Sequence, residues 1–254
     1  MIKIRNLKKR YQDKIILNGI NADISEGEIF SIMGPSGSGK STFIKCLVKL
    51  VVPDSGQVIV DGKDVLDRKN EFELAHMRQD FGYLFQDGAL FDSLDVMENV
   101  CFGLKYLTDI NPSKYKKIAN EKLELVGLKD VESLRVSELS GGMKKRVSLA
   151  RAIAAEPKYI LYDEPTTGLD PVSSEMISEL ILSMQKKLDI TSIVVTHDLK
   201  LAFTISDRIA MLHDGKFDLP ESPGSFKKSE DPFVKKFIED SICREMKDSG
   251  YSDK

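Results

Sequence analysis

The stretch Gly34-Pro35-Ser36-Gly37-Ser38-Gly39-Lys40-Ser41-Thr42 constrains this chain more than any other. It fits GxxxxGK(S/T) and directly follows the β-rich run Glu28–Met33. After it, Phe43, Ile44, Leu47, Val48 and Val51 fall at helical spacing, which predicts a helix over Ser41–Val51. Glycines between a strand and a helix let successive backbone N–H groups turn inward around phosphate oxygens, and the helix N-terminus adds its positive dipole end. In such a loop Lys40 reaches the β- and γ-phosphates of a nucleoside triphosphate, and the Ser41 hydroxyl ligates Mg²⁺. The loop alone predicts the site and leaves open the reaction it drives.

The rest of the chain predicts an α/β fold around that loop. Short β-rich pieces at Ile2–Ile4, Ile15–Leu17 and Gln57–Val60 alternate with Gly and Asp/Asn turns, so an N-terminal antiparallel region is expected. Strand signals vanish from about Ser93 to Ala155, where Ile118, Leu123, Val126 and Leu128 recur amid Lys and Glu, as in an inserted helical subdomain. Alternation then resumes: strand Tyr159–Tyr162, a helix opened by Pro171, strand Thr191–Val195, helix Leu199–Ile205 and strand Arg208–Leu212 ending at Asp214-Gly215. Such alternation predicts a mostly parallel sheet covered by helices. From Pro220 onward, one or two short helices and a polar tail are expected, with the core domain at 1–240 and the tail at 241–254.

Two strands of that sheet carry chemistry at their ends. Tyr159-Ile-Leu-Tyr-Asp163-Glu164 delivers two carboxylates at the end where ligands bind in open parallel sheets. Asp163 is placed to hold Mg²⁺ through water and Glu164 to orient or deprotonate an attacking water. Thr191-Ser-Ile-Val-Val-Thr-His197 delivers an imidazole from a neighbouring strand, within reach of a γ-phosphate.

Upstream, Leu139-Ser140-Gly141-Gly142-Met143 precedes a helix expected over Lys144–Ala154, and forms a second anion site at a helix N-terminus. From Leu139 to Pro171 the sequence resembles the ABC ATPase family, and the likeness extends over roughly residues 1–240. The resemblance implies ATP as the nucleotide and a P-loop NTPase core. It implies that Tyr11 stacks on adenine, and that Gln86, after the strand Phe81–Phe85, senses Mg²⁺ and water and faces a permease. It further implies that the Gly168-Leu-Asp170 loop crosses to a partner subunit and that His197 is the switch histidine. ATP would lie between two copies, the Lys40 loop of one facing Ser140, Gly141 and Gly142 of the other.

Met143, Tyr162, Leu84–Phe91, Asp95–Val100 and Asp231–Ile238 resemble the lipid-transport branch typified by Mla-type phospholipid transporters. That likeness implies an integral membrane permease and an MCE-domain lipid-binding protein as partners, with Phe85, Leu90 and Phe91 in the groove that receives the permease. A generic importer ATPase and a soluble ATPase of iron–sulfur assembly remain alternatives. Composition agrees with a cytoplasmic protein lying on the inner face of a membrane. The net charge is -3, so nothing calls for nucleic acid, and Cys46, Cys101 and Cys243 stand singly, without metal-ligand spacing. No apolar run approaches the roughly 18 residues that span a bilayer. About 120 residues separate Lys40 from Asp163 with no heptad run and no CxxC, unlike the ABC proteins of DNA repair.

Overall fold

A computed structural model describes residues 1–68 and 70–248 of the chain, with side chains in the last helix described as far as Cys243. Ten strands and nine helices are found among the described residues, beside two single-turn 3₁₀ segments. β1 (Ile2–Tyr11), β2 (Lys14–Ile24), β4 (Ser55–Val60) and β5 (Lys63–Asp64) form an antiparallel sheet in the order β2-β1-β4-β5. β3 (Ile29–Met33), β6 (Phe81–Leu84), β7 (Tyr159–Asp163), β8 (Thr191–Thr196), β9 (Arg208–His213) and β10 (Lys216–Phe217) form the second, in the order β10-β9-β3-β8-β7-β6. Only the β9–β10 pairing in it is antiparallel. The α/β architecture expected from the alternation is therefore present.

The apolar runs of β3, β7 and β8 have no polar face because both sides are covered, as parallel sheets require. Alternate residues point to different cores. Tyr159, Leu161, Ile193 and Val195 face the antiparallel sheet and α1 (Lys40–Leu47), whereas Ile160, Tyr162 and Val194 face the helical side. The helical side carries α3 (Val96–Leu107), α4 (Tyr115–Leu125), α5 (Gly141–Ile153) and α6 (Pro171–Leu188). Each fully buried aliphatic or aromatic side chain here stabilises the fold by roughly 1.5–3 kcal/mol. A third core joins α7 (Leu199–Ile205), α8 (Pro223–Phe226) and α9 (Pro232–Asp248) to Met33, Ile209 and Met211.

Several elements differ from the sequence reading, each for a local reason. α1 stops at Leu47 rather than Val51, and Lys49 turns to a left-handed φ of 52°. The Arg78 guanidinium takes the freed carbonyls of Val48 and Lys49 at 3.0 and 3.1 Å. α2 (Glu71–Arg78) was not expected, because it buries only Leu74 and Met77. The hairpin β9–β10 turns at Asp214-Gly215, both at positive φ. α5 begins at Gly141, with Ser140 as its cap, three residues before the expected start. α9 is one long helix that runs past residue 240 to Asp248, so part of the expected tail is helical; residues 249–254 lie outside the described residues. Among the described residues, no helix is long and apolar enough to cross a membrane.

Candidate functional site

Parallel strands put their C-terminal ends on one edge, and four consecutive strands, β3, β8, β7 and β6, bring polar residues there at or just beyond their ends. The loop after β3 is the glycine-rich segment, His197 directly follows β8, Asp163 ends β7 with Glu164 next, and Gln86 lies two residues beyond β6. They border an open cleft of about 1370 Å³ lined by Pro35–Gly37, Gly39–Thr42, Gln86, Glu164, Thr166–Leu169 and His197, with residues of α6, α7 and α9 on its far wall.

Gly39 shows why the loop needs glycine. It caps α1 at φ 106°, where a Cβ would stand 2.7 Å from the Ile16 side chain on the neighbouring hairpin. Lys40, only 5% exposed, folds back into the loop and donates to the carbonyls of Gly34 at 2.8 Å and Pro35 at 3.2 Å. Its ammonium also stands 3.3 Å from Glu164 Oε1. Ser41 Oγ donates to Asp163 Oδ1 at 2.7 Å, so the phosphate loop and the acidic strand meet directly. Tyr83 on β6 donates its hydroxyl to the other Asp163 oxygen at 3.3 Å.

Glu164 is the hub. Its Oε2 lies 2.9 Å from His197 Nδ1 and accepts a 3.3 Å hydrogen bond from the Thr167 hydroxyl. Burial pushes this carboxyl up, but the His197 hydrogen bond and the charge of Lys40 outweigh burial and hold it below the usual carboxylate range. The hydrogen bond to Glu164 raises the His197 imidazole above its ordinary value, against the effect of burial. With Glu164 ionised, His197 Nδ1 carries the proton. Glu164 is also a left-handed residue, with φ 49°, which turns the chain sharply out of β7 and aims the side chain at Lys40 and His197.

The remaining residues singled out in the sequence lie apart from this hub. Tyr11 is 47% exposed at the tip of the β1–β2 hairpin and is not among the residues lining the cleft; Ile16 from the same hairpin is. The Ser38 hydroxyl is buried in the loop without a hydrogen-bond partner among the described residues. Ser140, Gly141 and Gly142 stand outside the cleft lining, at the N-terminus of α5, where the Ser140 hydroxyl accepts from the Met143 N–H at 3.2 Å. Asp170 caps α6, accepting from the Ser173 N–H at 3.0 Å. A Cβ on Gly142 would come 3.2 Å from Ser173 Oγ, so these two helix starts are neighbours. Met143 packs, half-buried, against the helical core, which accounts for an apolar residue there. Of the proposed groove residues, Phe91 is exposed and packs at a tilt against Phe102, whereas Phe85 stacks on Tyr83 and Leu90 packs against the core. Asn99 fixes this loop by accepting from the Phe91 N–H at 2.8 Å and donating to its carbonyl at 3.1 Å.

Sequence reasoning missed Lys145. Its buried ammonium donates to the carbonyls of Gln86 and Glu164, and only the phase of α5 marks it out from its basic neighbours Lys144 and Arg146.

Among known proteins, the chain is 38% identical over 94% of its length to the intermembrane phospholipid transport system ATP-binding protein MlaF of Haemophilus influenzae, covering 90% of that protein. It is 38% identical over 93% of its length to the probable ribonucleotide transport ATP-binding protein mkl of Mycobacterium leprae, covering 68% of that one. Its fold matches the dimeric post-hydrolysis state of the ATP-binding cassette MJ0796 bound to ADP and Pi, with a TM-score of 0.79 and 36% identity, over 88% of this chain and 99% of that one. Residues 17–167 match the family model described as ABC transporter, a span that takes in the phosphate loop, the Ser140 helix and the acidic strand. The chain belongs to the ABC transporter family, as one of its ATP-hydrolysing subunits.

Proposed function

We propose that this ATPase energises phospholipid transport between membranes, working as a homodimer on the cytoplasmic face of an integral membrane permease that also engages an MCE-domain lipid-binding protein. The observation that carries the lipid assignment is the likeness to MlaF, which runs at 38% identity over nearly the whole of both chains.

The geometry supports a division of labour at the cleft. Lys40 is held by two carbonyls and one carboxylate, partners that a triphosphate competes with directly. As phosphate oxygens take over Lys40, Glu164 loses one of the two cations that depress its basicity. It then orients a water towards the γ-phosphorus and accepts its proton as the bond to the bridging oxygen breaks and ADP leaves. His197 holds the Glu164 carboxylate and lies beside the transferring phosphate.

The donor set fits Mg²⁺. Ser41 Oγ and Asp163 Oδ1 are hard oxygens already 2.7 Å apart, and a phosphate-bound Mg²⁺ needs few protein ligands. Ser41 and Asp163 would hold the ion, with Gln86 sensing it, and it would neutralise charge on the phosphates. The adenine falls to Tyr11, exposed on the hairpin whose Ile16 lines the cleft.

One copy cannot surround the nucleotide, because Ser140–Gly142 sit outside the lining of their own cleft. A second copy supplies them, with its Asp170 loop beside them. ATP therefore joins the pair, and hydrolysis releases it.

Capture of the full chain from membranes in mild detergent tests the assignment. An integral permease and an MCE-domain protein should co-purify, and phospholipid vesicles should stimulate ATPase activity of the reconstituted complex. Recovery of soluble scaffold proteins alone, or stimulation by ribonucleotide but not by phospholipid, would replace this reading with another.

A further inference from the structure

Helix α5 does more than present Ser140. Three residues at intervals of three, Lys145, Ser148 and Arg151, face the loop that follows β6. The Arg151 guanidinium donates to the carbonyls of Gly88 and Ala89, each at 2.6 Å. Gly88, at φ 75°, lies so close to α5 that a Cβ would stand 2.6 Å from Ser148 Oγ. At the other end of the same loop, Lys145 donates to the carbonyl of Gln86 and, at 3.3 Å, to the carbonyl of Glu164. The segment Gln86–Ala89 is thus fastened to α5 at both ends, and one of those fastenings is shared with Glu164.

Lys145 is 6% exposed, an unusual place for an ammonium. Burial lowers its affinity for the proton, while the carboxylates of Asp87, Asp163 and Glu164 act the other way. The location has a specific consequence for Glu164. A non-glycine residue at φ 49° is held against a backbone preference of about 1–3 kcal/mol and persists only where its surroundings fix both sides of the peptide. The Glu164 N–H is fixed by the Val195 carbonyl at 2.9 Å, and its carbonyl accepts both from the Thr167 N–H of its own turn, at 3.3 Å, and from Lys145, which alone ties it to α5.

We infer that Lys145 is a positioning residue for ATP hydrolysis, which ties the Gln86 loop and the strained Glu164 backbone to the helix that begins at Ser140. This rests on the reading of Glu164 as the group that handles the attacking water. Engagement of Ser140 by the nucleotide of a second copy displaces or steadies α5. Through Lys145 that event reaches the Glu164 carboxylate of the same chain, so the two halves of the dimer report to one another without either touching the other's base. Without the ammonium, Glu164 relaxes from its left-handed conformation and its carboxylate swings away from the water it must orient, while the phosphate loop stays intact.

The test compares full-length wild type, Lys145→Met and Lys145→Arg for steady-state ATPase activity, for affinity towards a fluorescent ATP analogue, and for melting temperature. Lys145→Met should lose at least tenfold in kcat with analogue affinity within threefold of wild type, and Lys145→Arg, which keeps the charge and donors, should recover at least a third of the wild-type kcat. In single-turnover measurements Lys145→Met should add no further loss to Glu164→Gln, since both remove the same service. A Lys145→Met kcat within twofold of wild type overturns the inference. So does a loss of kcat matched step for step by lost nucleotide affinity and lowered melting in both variants, because that marks a scaffold residue. A wild-type chain without ATPase activity would instead overturn the functional reading beneath it.

Discussion

Replacing His197 by Ala should destabilise the protein in acid more than in alkali. The imidazole Nδ1 stands 2.9 Å from Glu164 Oε2, and the carboxylate is nearly buried while the histidine side chain is 56% exposed. A hydrogen bond to a charged group contributes about 1.5–3 kcal/mol when shielded, and exposure of one partner reduces that to about 1 kcal/mol. The sign follows from the two titrations. The raised His197 contributes stability that is fully present below its ordinary value of 6.5 and is lost as pH rises through the folded value. The lowered Glu164 contributes stability that is present above its ordinary value of 4.5 and is lost as pH falls through the folded value. The charged pair is therefore intact between these limits. At pH 5.5 the His197→Ala variant should melt about 2–4 °C below wild type, for about 1 kcal/mol in a domain of this size. At pH 8.5 only the hydrogen bond from the neutral imidazole to the Glu164 carboxylate remains to be lost, without the ion pair, and the difference should fall to less than half. Thermal denaturation followed by circular dichroism at both pH values reads this directly. A deficit that is equal at the two pH values, or larger at 8.5, would refute the pairing of a charged imidazole with Glu164.

Other consequences are equally measurable. Tyr162 is fully buried and its hydroxyl makes no well-formed hydrogen bond among the described residues, with only the Ser192 hydroxyl close enough to interact, so Tyr162→Phe should leave stability unchanged or raise it by about 1 kcal/mol in urea unfolding; a loss above about 1 kcal/mol would mean that Ser192 satisfies the hydroxyl in solution. Phe91→Asp, at an exposed ring tilted against Phe102, should abolish stimulation of the ATPase by the permease while nucleotide affinity stays within twofold of wild type. Lost nucleotide affinity would instead make Phe91 part of the core. Ser41→Ala should raise the Mg²⁺ concentration for half-maximal hydrolysis about tenfold with one hydrogen-bonding ligand gone, and an unchanged Mg²⁺ requirement would remove Ser41 from the ion's shell.

The phosphate loop, the acidic strand end and the imidazole were legible in the sequence because each is a short pattern fixed by its strand. Parallel pairing of β3, β8 and β7 then brings them together. What the pattern could not give was the contacts among them. Nothing in the order of residues says that Lys40 turns back onto Glu164 or that Ser41 meets Asp163, since those are contacts across the sheet edge. Lys145 was hidden by its neighbours: Lys144-Lys145-Arg146 reads as a solvated basic run, and only the rotation of α5 turns its middle residue inward. α2 escaped because its apolar content is low, although Asn70 and Glu73 announce it. The Asn70 side chain accepts from the Glu73 N–H at 2.9 Å and donates to the Glu73 carboxylate at 3.1 Å, a cap visible as N-x-x-E. The length of α9 was obscured by its many charges, because Val234 and Ile238 alone are deeply buried among its described side chains.

Sedimentation of the Glu164→Gln variant with and without ATP addresses most directly the idea that each nucleotide is enclosed by two chains. With ATP and Mg²⁺ the variant should sediment at twice the 28.5 kDa of one chain, and adding Gly142→Asp should return it to a single chain while ATP still binds. A Glu164→Gln protein that stays monomeric with saturating ATP, or a dimer indifferent to an acidic residue at position 142, would contradict it.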